Sequence, residues 1–494
     1  MTLVTIDSGT IRGFADGPIE TFLGIPYAAP IVPGTRFEAA RPVAPWSGIR
    51  EATQFGAICP QVPTYGPVGR GATSHHAAGE NFLTVNVRSA DLSGKAPVLV
   101  WVHGGGYAVG SGNEPVIQTG AFARSGIVEV TLNYRLGALG FLSLEGRPEN
   151  RGLTDIIAAL HWVRRNIALF GGDPEQVTLA GRSAGGFAVA TLMAMPAAGL
   201  FARAFIQSGA TPAILTPQDA ARTTRRMLDR LGVAADALES MPLDRLLVAQ
   251  REICDESYDR HDFDRDGAVT MVGIPFQPII DPATLPVHPE RAAADGPMTR
   301  VPVMIGTTSA EYLTHSTVHG QLTTADVARL IDPRVRPIGL TGETIVARYR
   351  AALPDHDGLG LWRAIAGDLV FQNPTTRYAR TLGLHQPVFK YVFGPLDSNE
   401  TGAAHGAELG LVWWNAATDR STLPERYRAV DPVLASRVHE IWRCFIASET
   451  LVASDGARWP DYTSADGRIG WITPTDTQLV PDPFTERLAL WIPG

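Results

Sequence analysis

The stretch from Val177 to Ala190, VTLAGRSAGGFAVA, limits the folds open to this chain more than any other segment. Val177 to Ala180 is an apolar run suited to a buried strand, and Phe187 to Met195 is a run of apolar, helix-forming residues. Only a few small residues and Arg182 separate the two, so the backbone must turn sharply from strand into helix. Gly181, Ser183 and Gly185 fit G-x-S-x-G, in which a serine on a strained turn lifts its hydroxyl above the end of a sheet. Glycines flank it because side chains there collide with strand and helix as the backbone reverses. Ser183 is therefore the candidate nucleophile.

Composition narrows the setting. The chain has 494 residues, 45% hydrophobic and 19% charged, the balance of a globular protein with a large core. Its net charge of −8 is spread without blocks of one sign, which speaks against nucleic acid or an anionic membrane as partner. Met1 to Thr10 lacks a basic segment followed by an apolar one and alternates like a strand, so no signal peptide is expected. No run approaches the roughly 18 apolar residues of a membrane span. Cys59, Cys254 and Cys444 are widely spaced and odd in number, which makes neither a disulfide framework nor a zinc pattern and suits a reducing cytoplasm.

Along the chain, residues 1–90 read as short strands and turns. The loop from Pro60 to Gly79 carries His75-His76, which read as solvated residues and not as a metal site. Pro97 to Val102 is a strand buried on both faces, ending in His103-Gly104-Gly105-Gly106-Tyr107. A dinucleotide fingerprint fails here because the glycine after Gly106 is Gly110, one residue late, and a phosphate loop fails for want of lysine. An oxyanion loop of the HGGG kind matches without adjustment. Ile127 to Tyr134 is a further strand and Leu153 to Ile167 a helix, stopped by Gly171-Gly172-Asp173-Pro174. Strands alternating with helices imply an α/β fold with a mostly parallel sheet covered on both faces.

Pro217 to Leu247 is amphipathic and helical. Asp262 to Gly267 opens like a calcium loop, but its twelfth position is Gly273 and not a bidentate glutamate. Val301 to Gly306 is a buried strand with a polar turn ending at Glu311. The chain is then helix-rich until the strand Pro387 to Phe393, followed by the loop that holds His405 and helical stretches near Trp413-Trp414 and Trp442. No repeat or linker divides the sequence, so one domain over 1–494 is expected.

A serine hydroxyl needs a base, and the base needs a third group to fix its tautomer. Glu311 and His405 follow Ser183 in the order acid, then histidine, each just after an expected strand. That order is a weak filter in a chain with 50 acidic residues and 12 histidines. His315 and His319 lie near Glu311, and His356, His385 and His439 also lie downstream, so spacing alone does not choose.

The motifs together resemble the type B carboxylesterase family. They are Phe22 to Pro30, Arg36-Phe37, His103 to Tyr107, Asn133 to Gly137, Asn166-Ile167 with Phe170 to Pro174, Gly181 to Gly186, Gln207 to Ala210 and His405 to Leu409, in order across nearly the whole chain. The resemblance implies an α/β-hydrolase fold, with cap-like helical insertions roughly within 211–300 and 320–385. It implies a serine carboxylic-ester hydrolase acting through an acyl-enzyme on small to medium aryl or alkyl esters, including those of bulky alcohols. Ser183 is then nucleophile, His405 base and acid, and Glu311 the orienting carboxylate, although the aspartate usual before that glutamate is here Ala310. The N–H groups of Gly105, Gly106 and Ala184 form the implied oxyanion hole. Tyr107 and Trp413 either line the substrate pocket or belong to the core. No metal or organic cofactor is implied, and the partner is a small ester, with the chain a monomer or weak homo-oligomer.

The resemblance further implies two structural ion pairs, Arg36 with Glu80 and Arg135 with Asp155, and a disulfide from Cys59 that is lost because Phe82 holds the partner position. One departure concerns the serine itself. Arg182 stands where the family usually has glutamate, and it either pairs with a neighbouring carboxylate or favours anionic substrates. Two other readings share the resemblance: action on carbamates or amides through the same trio, and a non-catalytic, cholinesterase-like binding protein. The latter typically lacks the serine that this chain keeps.

Overall fold

Continuous apolar runs need cover on both faces, and in the computed structural model they form the centre of one thirteen-stranded sheet. The structure describes residues 1–493 apart from 63–75, 212, 261, 313–319, 396–401, 417, 419, 424, 429 and 464–466. His75, His315 and His319 lie outside the described residues. The strands are β1 (Thr2–Ile6), β2 (Gly9–Asp16), β3 (Ile19–Pro26), β4 (Ile49–Glu51), β5 (Thr84–Ser89), β6 (Ala96–Val102), β7 (Val128–Leu132), β8 (Gly172–Arg182), β9 (Arg203–Gln207), β10 (Val303–Thr308), β11 (Val388–Phe393), β12 (Arg468–Ile472) and β13 (Thr477–Pro481). Their order is β1-β2-β3-β5-β7-β6-β8-β9-β10-β11-β12-β13, with β4 beside β2. From β7 through β12 every pairing is parallel.

Strand β6 shows how the two faces are filled. Val98, Val100 and Val102 belong to one apolar core, and Leu99 and Trp101 to a second on the opposite face. The first core takes the helix Arg151–Asn166 through Leu153, Ile156, Leu160 and Val163. The second takes the helix Pro432–Ile446 through Val438, Trp442 and Phe445. Each fully buried large apolar side chain contributes about 1.5–3 kcal/mol.

Register fixes where chemistry can gather. Val102 pairs with Gly181, Arg182 with Gln207, Gln207 with Gly306, and Thr308 with Phe393. The loops after β6, β8, β9, β10 and β11 therefore leave the sheet at one edge. Parallel strands deliver their following residues to the same side, which is where such sheets hold ligands.

Several expectations are adjusted. The stretch expected to stop the first helix already belongs to β8, because Gly172 pairs with Ala96. The helical region after Pro217 is two helices, Pro217–Leu231 and Leu243–Arg260, since Gly232 ends the first in a left-handed conformation. In the calcium-like segment Asp262 caps a short helix, and Asp266 is buried between Arg226 and Arg265. Arg135 and Asp155 form the expected pair, fully buried, with Nε to Oδ2 at 2.8 Å and Nη2 to Oδ1 at 2.6 Å. Arg36 does not pair with Glu80. Its guanidinium donates to the carbonyl of Met241 at 2.5 Å, and Glu80 is exposed. No helix among the described residues is long and apolar enough to cross a membrane.

Candidate active site

Strand β8 delivers Ser183 onto a backbone that bends abruptly. The residue has φ 57° and ψ −126° and caps the helix Ala184–Met193. A non-glycine residue there is strained, and such strain persists only where the surroundings enforce it. They do so tightly: the Ser183 N–H donates to the carbonyl of Gln207 at 2.9 Å, and the Ser183 carbonyl accepts from Phe187 at 2.8 Å. A side chain at Gly185 would place Cβ 2.1 Å from the carbonyl oxygen of Val102, so the helix packs on β6 only with glycine at that position.

The glycine loop after β6 lies against this turn. A Cβ on Gly104 would sit 3.1 Å from Cβ of Ser183 and 2.6 Å from the carbonyl oxygen of Arg182. Buried polar groups hold the loop. Gly110 and Gln61 exchange hydrogen bonds at 2.8 and 2.9 Å, and Oδ1 of Asn133 accepts from Ser111 and Gly112. His103 stacks on Tyr134 with ring centres 4.6 Å apart, and burial pushes its imidazole down to about 4, so it is neutral at pH 7. Among the described residues, no backbone carbonyl outside the regular ladders accepts from the N–H of Gly105, Gly106 or Ala184. The first N–H groups of a helix have no partner within it, and here they adjoin a serine.

Glu311 and His405 lie 94 residues apart in sequence, and Nδ1 of His405 is 2.5 Å from Oε2 of Glu311. Both side chains are buried, at 5% and 0% exposure. The other oxygen of Glu311 accepts the N–H of Thr308 at 2.8 Å. Two loops are joined to make this contact: Ala310 donates to the carbonyl of Ala403, and Ala403 donates to the hydroxyl of Ser309. Burial pushes Glu311 up to about 7, while the hydroxyl of Ser208, the N–H and hydroxyl of Thr308 and the Arg182 guanidinium pull it back. Such a carboxylate holds an imidazole in one tautomer and stabilises its protonated form.

Arg182 ends β8 and reaches the histidine loop. A Cβ on Gly406 would meet its Nη1 at 2.4 Å and Cζ at 3.0 Å, so the guanidinium lies on the backbone beside His405. The turn holding Ser183 and the loop holding His405 are thus neighbours. Tyr107 is fully buried, strained at φ 58°, and packs on Phe141 at 4.7 Å. Trp413 packs edge-on to Trp101 and Phe122 in the second core at 1% exposure, the core placement of its two expected roles.

Three neighbours carried no sequence assignment. Phe371 lays its ring 4.7 Å from that of His405, from a π-helical turn over Asp368–Gln372. Nothing in a lone phenylalanine of a helical run signals this. Ser208 follows β9 in the Gln207 to Ala210 motif, and Glu408 lies in the histidine motif. Burial, Glu311 beside it and Arg182 opposite leave the Glu408 carboxyl at about 7. A cavity of about 690 Å3 opens at Glu311, lined also by Ser309, Arg363, Asp368, Gln372 and Arg487. A groove of about 1140 Å3 between Thr324–Val335 and Gly342–Ala352 includes none of these site residues.

Known proteins resemble this chain along nearly its whole length. Residues 1–491 match the sequence model of the Carboxylesterase family. The para-nitrobenzyl esterase of Bacillus subtilis (strain 168) is 33% identical over 511 residues, covering 98% of this chain and 97% of the relative. The phenmedipham hydrolase of Pseudarthrobacter oxydans is 33% identical, covering 94% and 93%. A solved PNB esterase superposes with a TM-score of 0.81 at 31% identity, covering 99% of each chain.

Proposed function

The chain belongs to the carboxylesterase family and is an α/β-hydrolase enzyme acting on small-molecule esters, and from that premise we propose that it works through an acyl-enzyme on Ser183. Oγ of Ser183 attacks the ester carbonyl carbon as Nε2 of His405 takes its proton, and Nδ1 of His405 keeps its hydrogen bond to Glu311. The N–H groups of Gly105, Gly106 and Ala184 receive the oxyanion. Collapse of the tetrahedral species expels the alcohol, which takes the proton from His405. Water then attacks the acyl carbon with His405 as base, and the acid leaves. Each oxyanion donor of this type is worth about 10²- to 10³-fold in rate.

One observation carries the reading: Glu311 and His405 meet at 2.5 Å in a buried site, on the loop that touches the residue next to Ser183. Aryl and alkyl esters, including those of bulky alcohols, are the proposed substrates, with carbamates and amides open to the same trio. The three cysteines are free thiols, which fits a reducing compartment such as the cytoplasm.

The test is a burst of para-nitrophenol from a short-chain ester, equal in amount to enzyme. Ser183→Ala should abolish the burst and lower kcat on the order of a millionfold. Wild-type turnover by that variant would overturn the assignment. A panel of para-nitrobenzyl esters, phenmedipham, and carbamates and amides of one alcohol or amine series then ranks the substrate classes.

A further inference from the structure

Behind His405 lies a set of charges that ester hydrolysis by the trio does not by itself require. Glu408 is fully buried, three residues beyond His405. Its Oε1 accepts from Nε2 of Gln207 at 3.3 Å, and its Oε2 has no hydrogen-bond partner among the described residues. A buried carboxylate oxygen left unmatched is costly unless a countercharge offsets it. The neighbour with the same sign is Glu311, whose charge makes ionising Glu408 harder. Tyr391 from β11, Gln207 and Ser208 from the end of β9, and Thr308 from β10 face the same two carboxylates, and none of them supplies a positive charge. Arg182 does: it acts favourably on both carboxylates.

We propose that Arg182 is a positioning residue of the esterase site: its guanidinium, laid on Gly406, is the countercharge that offsets the two buried carboxylates, Glu311 and Glu408, behind His405. The proposal rests on Ser183, His405 and Glu311 being the reacting trio. Gly406 makes the placement possible. It has φ 76°, and any side chain there would run into the guanidinium. In the reactive form, with both carboxylates ionised and the imidazole neutral, the cluster of Arg182, Glu311, Glu408 and His405 holds one net negative charge. It becomes neutral when His405 takes the serine proton. Without Arg182 the same form holds two negative charges and binds a proton more readily, on a carboxylate or on the imidazole. Protonation of Glu311 or of the imidazole disables His405 as a base.

The sign is the same for both routes. Removing the cation raises the affinity of Glu311, Glu408 and His405 for protons, so as pH is lowered activity is lost already at a higher pH. In kcat/KM against pH with a neutral para-nitrophenyl ester, Arg182→Gln should move the acid limb up by about one pH unit, the scale of losing an opposite charge nearby. Arg182→Lys should keep it near its original place. Glu408→Gln alone should move it down, and the double variant Arg182→Gln/Glu408→Gln should return it close to wild type. An unmoved limb in Arg182→Gln overturns the proposal, as does a shift that the second substitution leaves untouched. If Arg182→Gln does not fold, Glu408→Gln decides: an unmoved limb there also overturns it. A lost preference for carboxylate-bearing over neutral esters, with the limb in place, assigns Arg182 to substrate instead. Turnover that survives Ser183→Ala sinks the trio, and is distinguishable from all of these.

Discussion

At Ser183 the chain holds a non-glycine residue at φ 57°, and the helix that follows begins at the next residue. The candidate serine was legible from the pattern of glycines, whereas its proposed partners were not. Five histidines downstream of Glu311 competed with His405, and only folding brings His405 to Nδ1–Oε2 contact with Glu311. Glu311→Gln should leave the fold in place and lower kcat by about 10⁴-fold, since an amide can no longer stabilise the imidazolium. Steady-state kinetics beside a thermal melt checks both halves of that expectation. Phe371 and Glu408 were invisible as site residues for a simple reason: a helical phenylalanine and a glutamate in a loop look the same whether they face solvent, core or catalyst.

Among elements, the strand–turn–helix of β8 and the glycine loop after β6 matter most because they touch. Their contact is set by the register of Val102 with Gly181, not by either segment alone. Gly104→Ala tests it. The new methyl falls 2.6 Å from the carbonyl oxygen of Arg182 and 3.1 Å from Cβ of Ser183, so the loop must withdraw and its N–H groups lose aim. We expect kcat to drop by about 10²- to 10³-fold, the cost of misplacing one oxyanion donor, with a smaller change in KM. A loss confined to KM would mean that the loop binds substrate without stabilising the oxyanion. Strands β6 and β8 were readable from their continuous apolar runs. The early start of β8 was not, because pairing with Ala96 recruits a glycine and a proline that by propensity end structure.

At the scale of the whole molecule we read residues 1–494 as one domain with helical insertions, because the first apolar core draws on residues from Val4 to Trp491. Arg135 and Asp155 lie inside it at 0% exposure. Arg135→Met should destabilise the protein by about 3–5 kcal/mol in urea unfolding, since it strands a buried carboxylate. Stability also depends on pH in a set direction. Burial raises Glu311 and Glu408 from 4.5 to about 7, so the stability held by their protonated forms is complete below pH 4.5 and is lost as pH rises through 7. Asp368, raised from 3.8 to about 6, acts the same way over a lower window. Urea unfolding from pH 4.5 to 8 should show this decline, and Glu408→Gln should flatten it. An equal slope in the variant would mean that Glu408 is not the titrating group.

The sequence by itself determined the fold class and singled out Ser183 as candidate nucleophile beside the glycine loop, because each depends on residues adjacent in the chain: apolar runs that must be buried, and glycines where backbone reverses. Only tertiary structure decided which histidine meets Glu311, that Arg36 turns to Met241 in place of Glu80, and that Trp413 is core. It also decided that Arg182 reaches across to Gly406. Those outcomes depend on strand order and register, which bring residues hundreds of positions apart within a few ångströms, and on burial, which gives a charge its weight only once water has been removed.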